Sequence, residues 1–278
     1  MNKQVSSFRN LLIRALTGAV FVAVMVGAMC IHPYCFLCVF ALVVGFTLAE
    51  FYRHLKLDFP LLHILGGVFL FVASFFSQAY GLYQLYLIYL LYLLAAFIRE
   101  LYLKKEDPIR NWAYAMLGQV YIAGSFSLLN FIAYMPDVQG SHTYSFLFML
   151  AIFVFVWVND TGAYLTGMLF GKHRLFERIS PKKSWEGFFG GLVFVLLTSQ
   201  VFAHFAPLIS WYNWLFFSLA IILFGTWGDL VESLFKRTIH IKDSGKILPG
   251  HGGLMDRFDS VLFAIPVAYI YMELFVRL

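Results

Sequence analysis

Residues 144–160 read YSFLFMLAIFVFVWVND. No charge occurs before Asp160, and the run approaches the roughly 20 residues that a membrane-spanning helix needs. Its polar residues do not alternate with apolar ones, as a barrel strand of about 10 residues would require. The reading is a transmembrane helix with polar groups gathered at one end. Eight further runs of this kind surround it, at 11–31, 35–51, 61–77, 82–98, 111–134, 187–206, 213–228 and 260–276. Those at 35–51 and 213–228 are short, and each either spans or re-enters. The chain of 278 residues is 61% hydrophobic and 13% charged, with a mean hydropathy of +0.79. A soluble domain carries about 25% charged residues. Lipid admits only helices and closed barrels as spanning elements, so the predicted fold class is all-α: a polytopic transmembrane helical bundle of about nine spans.

The basic residues test that count. Lys3, Arg9 and Arg14 precede or enter the first run, and Arg53 and Lys56 follow the second. Arg99, Lys104, Lys105 and Arg110 lie between the fourth and fifth. Lys172, Arg174, Arg178, Lys182 and Lys183 lie between the sixth and seventh, and Lys236, Arg237, Lys242, Lys246 and Arg257 between the eighth and ninth. Of the 20 lysines and arginines only Arg277 falls on the other side. Basic loops face the cytoplasm, which predicts a cytoplasmic N-terminus and an outside C-terminus. Trp112, Trp185, Trp211, Trp214 and Trp227 fall near run ends, where aromatic belts sit. The first run is longer than a signal-peptide core and no A-x-A site follows, so it reads as an uncleaved span. The absence of a transit peptide points to a bacterial plasma membrane. The net charge of +5 reflects topology and attraction to anionic headgroups; the dispersed basic residues exclude a nucleic-acid partner. Cys30, Cys35 and Cys38 read as small buried apolar residues rather than a redox pair. The chain reads as one integral membrane domain, 1–150 a scaffold half and 151–278 a catalytic half.

Four polar constellations carry candidate chemistry. Asn159 and Asp160 close the sixth run, either as a helix-end cap or as a working acid beside an amide. Ser180-Pro181-Lys182-Lys183-Ser184-Trp185-Glu186-Gly187 precedes the seventh, where a helix start and two lysines suit a phosphate, although lysines alone also anchor a span. On a helix Asp229, Glu232, Ser233 and Lys236 share one face, followed by Arg237. They read as a metal site beside a phosphate site, or as a salt-bridge ladder. The fourth is a glycine-rich loop holding Lys242, Asp243 and His251, which leads into Asp256, Arg257 and Asp259. Glycines let backbone N–H groups approach a phosphate. Hard-oxygen acids among basic groups suit Mg²⁺ bound with a polyphosphate. The pattern points to phosphoryl or nucleotidyl transfer, without a Walker A motif or dinucleotide fingerprint.

The stretch from Ser233 through Phe235, Lys236, Arg237, Lys242, Asp243, Gly245, Leu248, Pro249, His251, Gly252, Gly253, Asp256, Arg257, Phe258 and Asp259 resembles the signature of the phosphatidate cytidylyltransferase family, with no departure from it. The 159–162 and 180–184 stretches also resemble that family, whereas the first 150 residues match only in being apolar. The resemblance implies that CTP and phosphatidate give CDP-diacylglycerol and pyrophosphate. It also implies dependence on Mg²⁺, with a monovalent cation such as K⁺, and a homodimer in the bilayer. Residues and resemblance together make Asp229, Asp243, Asp256 and Asp259 the expected metal ligands. Lys236, Arg237, Lys242, His251 and Arg257 are the expected catalytic groups. Asn159, Asp160, Lys182, Lys183, Ser184 and Ser233 are the expected substrate-binding groups. The rivals are a related CTP transferase for another lipid phosphate, an ion-coupled transporter and an inactive paralogue. Against transport, no site acid is mid-span and no inverted repeat is visible. Against the paralogue, no signature residue is lost.

Overall fold

A computed structural model describes residues 2–103, 107–135, 142–245 and 252–276, with side chains from residue 15 onward. The chain is a polytopic helical membrane protein, as the sequence predicts. The helices are α1 (Asn2–Ile31), α2 (Pro33–Leu55), α3 (Pro60–Tyr80), α4 (Leu85–Tyr102) and α5 (Pro108–Gly118). α5 continues through a π-helical stretch, Gln119–Gly124, into α6 (Ser125–Ala133). Then follow α7 (Leu147–Phe170), the strands β1 (Arg174–Phe176) and β2 (Ser180–Ser184), α8 (Trp185–Phe205), α9 (Trp211–Thr238) and α10 (Met255–Tyr271). Among the described residues eight helical segments are long and apolar enough to cross a membrane, and Ala15–Ile31 within α1 is a shorter apolar one. They cover the nine apolar runs. The two short runs belong to full-length helices, α2 and α9, not to re-entrant pieces.

Local chemistry sets the helix starts. Pro33, Pro60 and Pro108 occupy first-turn positions, where a missing N–H costs nothing. Asp107 caps α5 by accepting from Arg110 N at 2.9 Å, and Ser184 caps α8 by accepting from Gly187 N at 3.1 Å. Pro181 starts no helix: it lies in β2, which pairs antiparallel with β1.

The chain divides into two compact units, 1–130 with 241–257, and 131–240 with 258–278. The first unit buries Phe36, Phe40, Phe51, Phe71 and Phe126. Because lipid is itself apolar, polar contacts do much of the joining between helices. Asn130 Nδ2 donates to Phe71 O at 3.0 Å and to Ser74 Oγ at 2.6 Å. Gln119 accepts from Tyr89 Oη at 3.0 Å and donates to His63 O at 2.7 Å.

In the second unit Phe153, Phe155, Trp214 and Phe217 form the buried centre. Trp214 is thus core, its Nε1 donating to Ala206 O at 3.2 Å, rather than part of an interfacial belt. Trp227 lies well inside α9, because that helix outruns its apolar stretch. Cys30, Cys35 and Cys38 are free and exposed, not buried as expected; the outward face of a span meets lipid, which accepts small apolar side chains. α7 and α8 approach closely at Gly187 and Gly191, a pair spaced by four residues. A Cβ on Gly187 would stand 2.9 Å from Ala163 O, and one on Gly191 2.8 Å from Asn159 O.

Candidate active site

The second unit carries an open cavity of about 390 Å³. α7 lines it with Asn159, Asp160, Tyr164 and Met168, β2 with Lys182, Lys183 and Ser184, and α9 with Asp229. Phe188 of α8 and Ser260 of α10 complete the wall. Five of the expected substrate-binding residues and one expected metal ligand therefore share one cavity. They do so for a reason the apolar runs did not reveal. α7 and α9 each continue about ten residues beyond their apolar stretch. Asn159 and Asp160 consequently sit inside α7, not at its end, which sets aside the helix-end cap of the two readings the sequence offered. No proline follows to break the ladder.

The charges are arranged in pairs. Lys183 forms an ion pair with Asp229, drawing β2 to α9. Ser233 Oγ donates to Asp229 Oδ1 at 3.2 Å, one turn along α9. Lys236 Nζ lies 2.5 Å from Glu232 Oε2, and Glu232 is fully buried. Asp259 Oδ1 accepts from Ser260 N at 2.6 Å, and its carboxylate is within Coulombic reach of those of Asp229, Glu232 and Asp160. Asn159 Oδ1 is buried with no hydrogen-bond partner among the described residues. Arg237 is exposed at the end of α9.

Glu186, in the first turn of α8, fixes the hairpin that carries the two lysines. Its carboxylate accepts from Lys172 N at 3.1 Å, His173 N at 3.2 Å and the His173 ring at 2.6 Å. Three donors from Lys172 and His173 tie the entry of the hairpin to the start of the helix that follows it.

The remaining expected residues belong to the first unit. Lys242, Asp243 and Arg257 are exposed there. Asp256 Oδ2 accepts from Ser244 N at 2.8 Å and Gly253 N at 3.0 Å, so it clasps the loop across its base. His251 lies outside the described residues. Glu50 was absent from the expected site, and Glu186, within the 180–187 stretch read from sequence, was not assigned a role. Glu50 carried a readable signal, being the one acid inside the apolar run 35–51. Glu232 stood in the α9 face read from sequence but was not assigned a role.

Among the described residues no three of His, Cys, Asp and Glu form a preformed metal-holding group. The donor chemistry nevertheless fits a hard divalent cation, because Asp160, Asp229 and Asp259 offer only oxygen. Mg²⁺ commonly takes one or two carboxylates and completes its shell with water and substrate phosphates.

Fold and cavity define a polytopic membrane protein with a charged pocket suited to phosphate groups. The chain belongs to the cytidylyltransferase family, whose sequence model matches residues 12–275. Members of that family generally need a divalent metal. The phosphatidate cytidylyltransferase of Staphylococcus saprophyticus is 43% identical over 162 residues, covering 58% of this chain and 58% of that protein. The protein of the same name from Staphylococcus epidermidis is 50% identical over 127 residues, 45% of this chain and 48% of its own. That from Staphylococcus aureus is 41% identical over 162 residues, 58% of each. The chain thus spans less than two thirds of the length of these relatives.

Proposed function

We propose that this protein is a phosphatidate cytidylyltransferase, converting CTP and phosphatidate to CDP-diacylglycerol and pyrophosphate. The observation that carries the reading is the cavity of the second unit. It brings Lys182 and Lys183 together with Asp160 and Asp229, beside an apolar wall of Tyr164, Met168 and Phe188. A lipid phosphate needs both: cations for its headgroup and apolar surface for the glycerol and chains.

In the proposed reaction an oxygen of the phosphatidate phosphate attacks the α-phosphorus of CTP. One P–O bond forms, the bond from that phosphorus to the bridging oxygen breaks, and the electron pair leaves with pyrophosphate. The nucleophile is already anionic near neutral pH, so no protein base is required. Catalysis reduces to positioning and charge compensation. Lys182 and Lys183 hold phosphate oxygens, and Ser184 fixes the end of the strand bearing them. Asn159 directs its amide towards a polar group of the substrate. Lys236, Arg237, Lys242 and Arg257 are the further candidates for the triphosphate, with His251 beside them in sequence. Asp229 and Asp259, with Asp160, would hold Mg²⁺; Asp243 and Asp256 are the further acidic candidates, and K⁺ is the proposed monovalent cation. When bound, the divalent ion neutralises phosphate charge.

The membrane is proposed to be a bacterial plasma membrane with the cavity open to the cytosol, where CTP is made. Support comes from the basic residues on alternate loops. Purified protein incubated with labelled CTP and phosphatidate micelles should release CDP-lipid and pyrophosphate in equal amounts. Turnover of CTP only with a different lipid phosphate would reassign the substrate, and intact CTP would reject the activity.

A further inference from the structure

A glutamate sits where the glycine-rich loop of the first unit meets α2. Glu50 is 1% exposed. Its Oε2 accepts from Ser244 Oγ at 3.2 Å and from Met255 N at 3.0 Å. Those two residues are the near and far ends of the loop. Its Oε1 has no hydrogen-bond partner among the described residues and lies against Gly245. A Cβ on Gly245 would overlap Oε1, and one on Gly253 would stand 2.5 Å from Oε2. Glycine at 245 is therefore required by the buried carboxylate, and at 253 by the carboxylate together with Ser244 Oγ, which such a Cβ would overlap. Arg53 Nη2 donates to Ser244 O at 3.2 Å, and the His54 ring also contacts that carbonyl.

We infer that Glu50 is a positioning residue: it latches both ends of the 244–255 loop onto α2 and thereby sets the conformation from which Asp256 and Arg257 act. The physical requirement is acceptor capacity. A buried Met255 N–H and Ser244 O–H left without an acceptor would drive the loop off α2. Among the described residues only Oε2 accepts hydrogen bonds, so the latch turns on an acceptor at that position rather than on negative charge. In Glu50→Gln the amide oxygen can take the place of Oε2, and its NH₂ that of Oε1, which has no partner among the described residues. Glu50→Leu fills similar volume without any acceptor.

The test compares wild type, E50L and E50Q as full-length, detergent-purified protein, by two readouts. Limited trypsin digestion follows cleavage after Lys242, two residues before the latched Ser244, and after Arg174 in the hairpin of the other unit. CTP turnover, which rests on the proposed function, is resolved into kcat and KM. E50L should be cut faster after Lys242 at an unchanged rate after Arg174. Its kcat should fall about 100-fold, the scale expected for a misplaced group, and its KM for CTP should rise, because Arg257 is among the proposed triphosphate groups. E50Q should recover both readouts to near wild type. An E50L variant with unchanged loop cleavage overturns the latch, and so does acceleration at both sites, which signals general unfolding. E50Q as impaired as E50L overturns the acceptor argument. Should the wild type turn over no CTP, the cleavage comparison still decides the latch, and only the activity assignment falls.

Discussion

An ionised carboxylate inside a membrane protein costs several kcal/mol unless it is paired or coordinated. Glu232, fully buried, has Lys236 one turn away. Asp229 has Lys183 and the Ser233 hydroxyl. Asp256 is held differently, by two backbone N–H groups. That difference separates shape from charge. Asparagine at 256 can offer its amide oxygen to the same N–H groups, so D256N should keep the trypsin pattern of the loop. If the charge serves the reaction, its turnover should drop about 1,000-fold, as for loss of a charge-stabilising group. Wild-type turnover by D256N would confine Asp256 to shaping the loop. Asp256 was legible in the sequence as a functional acid, but its clasp was not. The clasp depends on Ser244 N, twelve residues away, folding back onto the helix start.

Among the elements, the contact of α7 with α8 decides the room left to Asn159. Gly191 leaves room for the Asn159 side chain: a Cβ there would stand 2.5 Å from its Oδ1. Gly191→Ala should force the helices apart at a cost of about 1–3 kcal/mol, the usual range for overpacking. The expected result is a lowered melting temperature and an activity loss larger than the loss of folded protein. An unaltered melting temperature and turnover would show that the helices adjust freely. Helix existence was plain from the apolar runs, whereas helix ends were not. α7 and α9 run on through polar residues because hydrogen bonding within a helix continues until proline or a competing cap stops it. Apolarity marks only the part that lipid must accept. The hairpin was missed for a related reason: Lys182 and Lys183 signal charge, and their strand geometry depends on Glu186 gathering Lys172 and His173.

At the scale of the whole molecule the nine apolar runs were readable because each must satisfy the same requirement of lipid. The grouping of 241–257 with the first unit was not readable, since it rests on contacts such as Glu50 with Ser244, far apart in sequence. Odd span number and the basic loops together predict termini on opposite sides. A tag at the N-terminus should be protected in intact cells and a tag at the C-terminus should be accessible; both tags on one side would remove one span from the account. The central claim is that the acids and lysines of the second unit's cavity serve metal-dependent transfer from CTP. Its most direct test is a Mg²⁺ titration of CDP-lipid formation by wild type and Asp229→Asn, purified and assayed together. Wild-type product should rise from background with Mg²⁺, and D229N should stay about 100-fold or more below it at every concentration. Equal turnover by the two, or full wild-type turnover in chelator, would contradict the account.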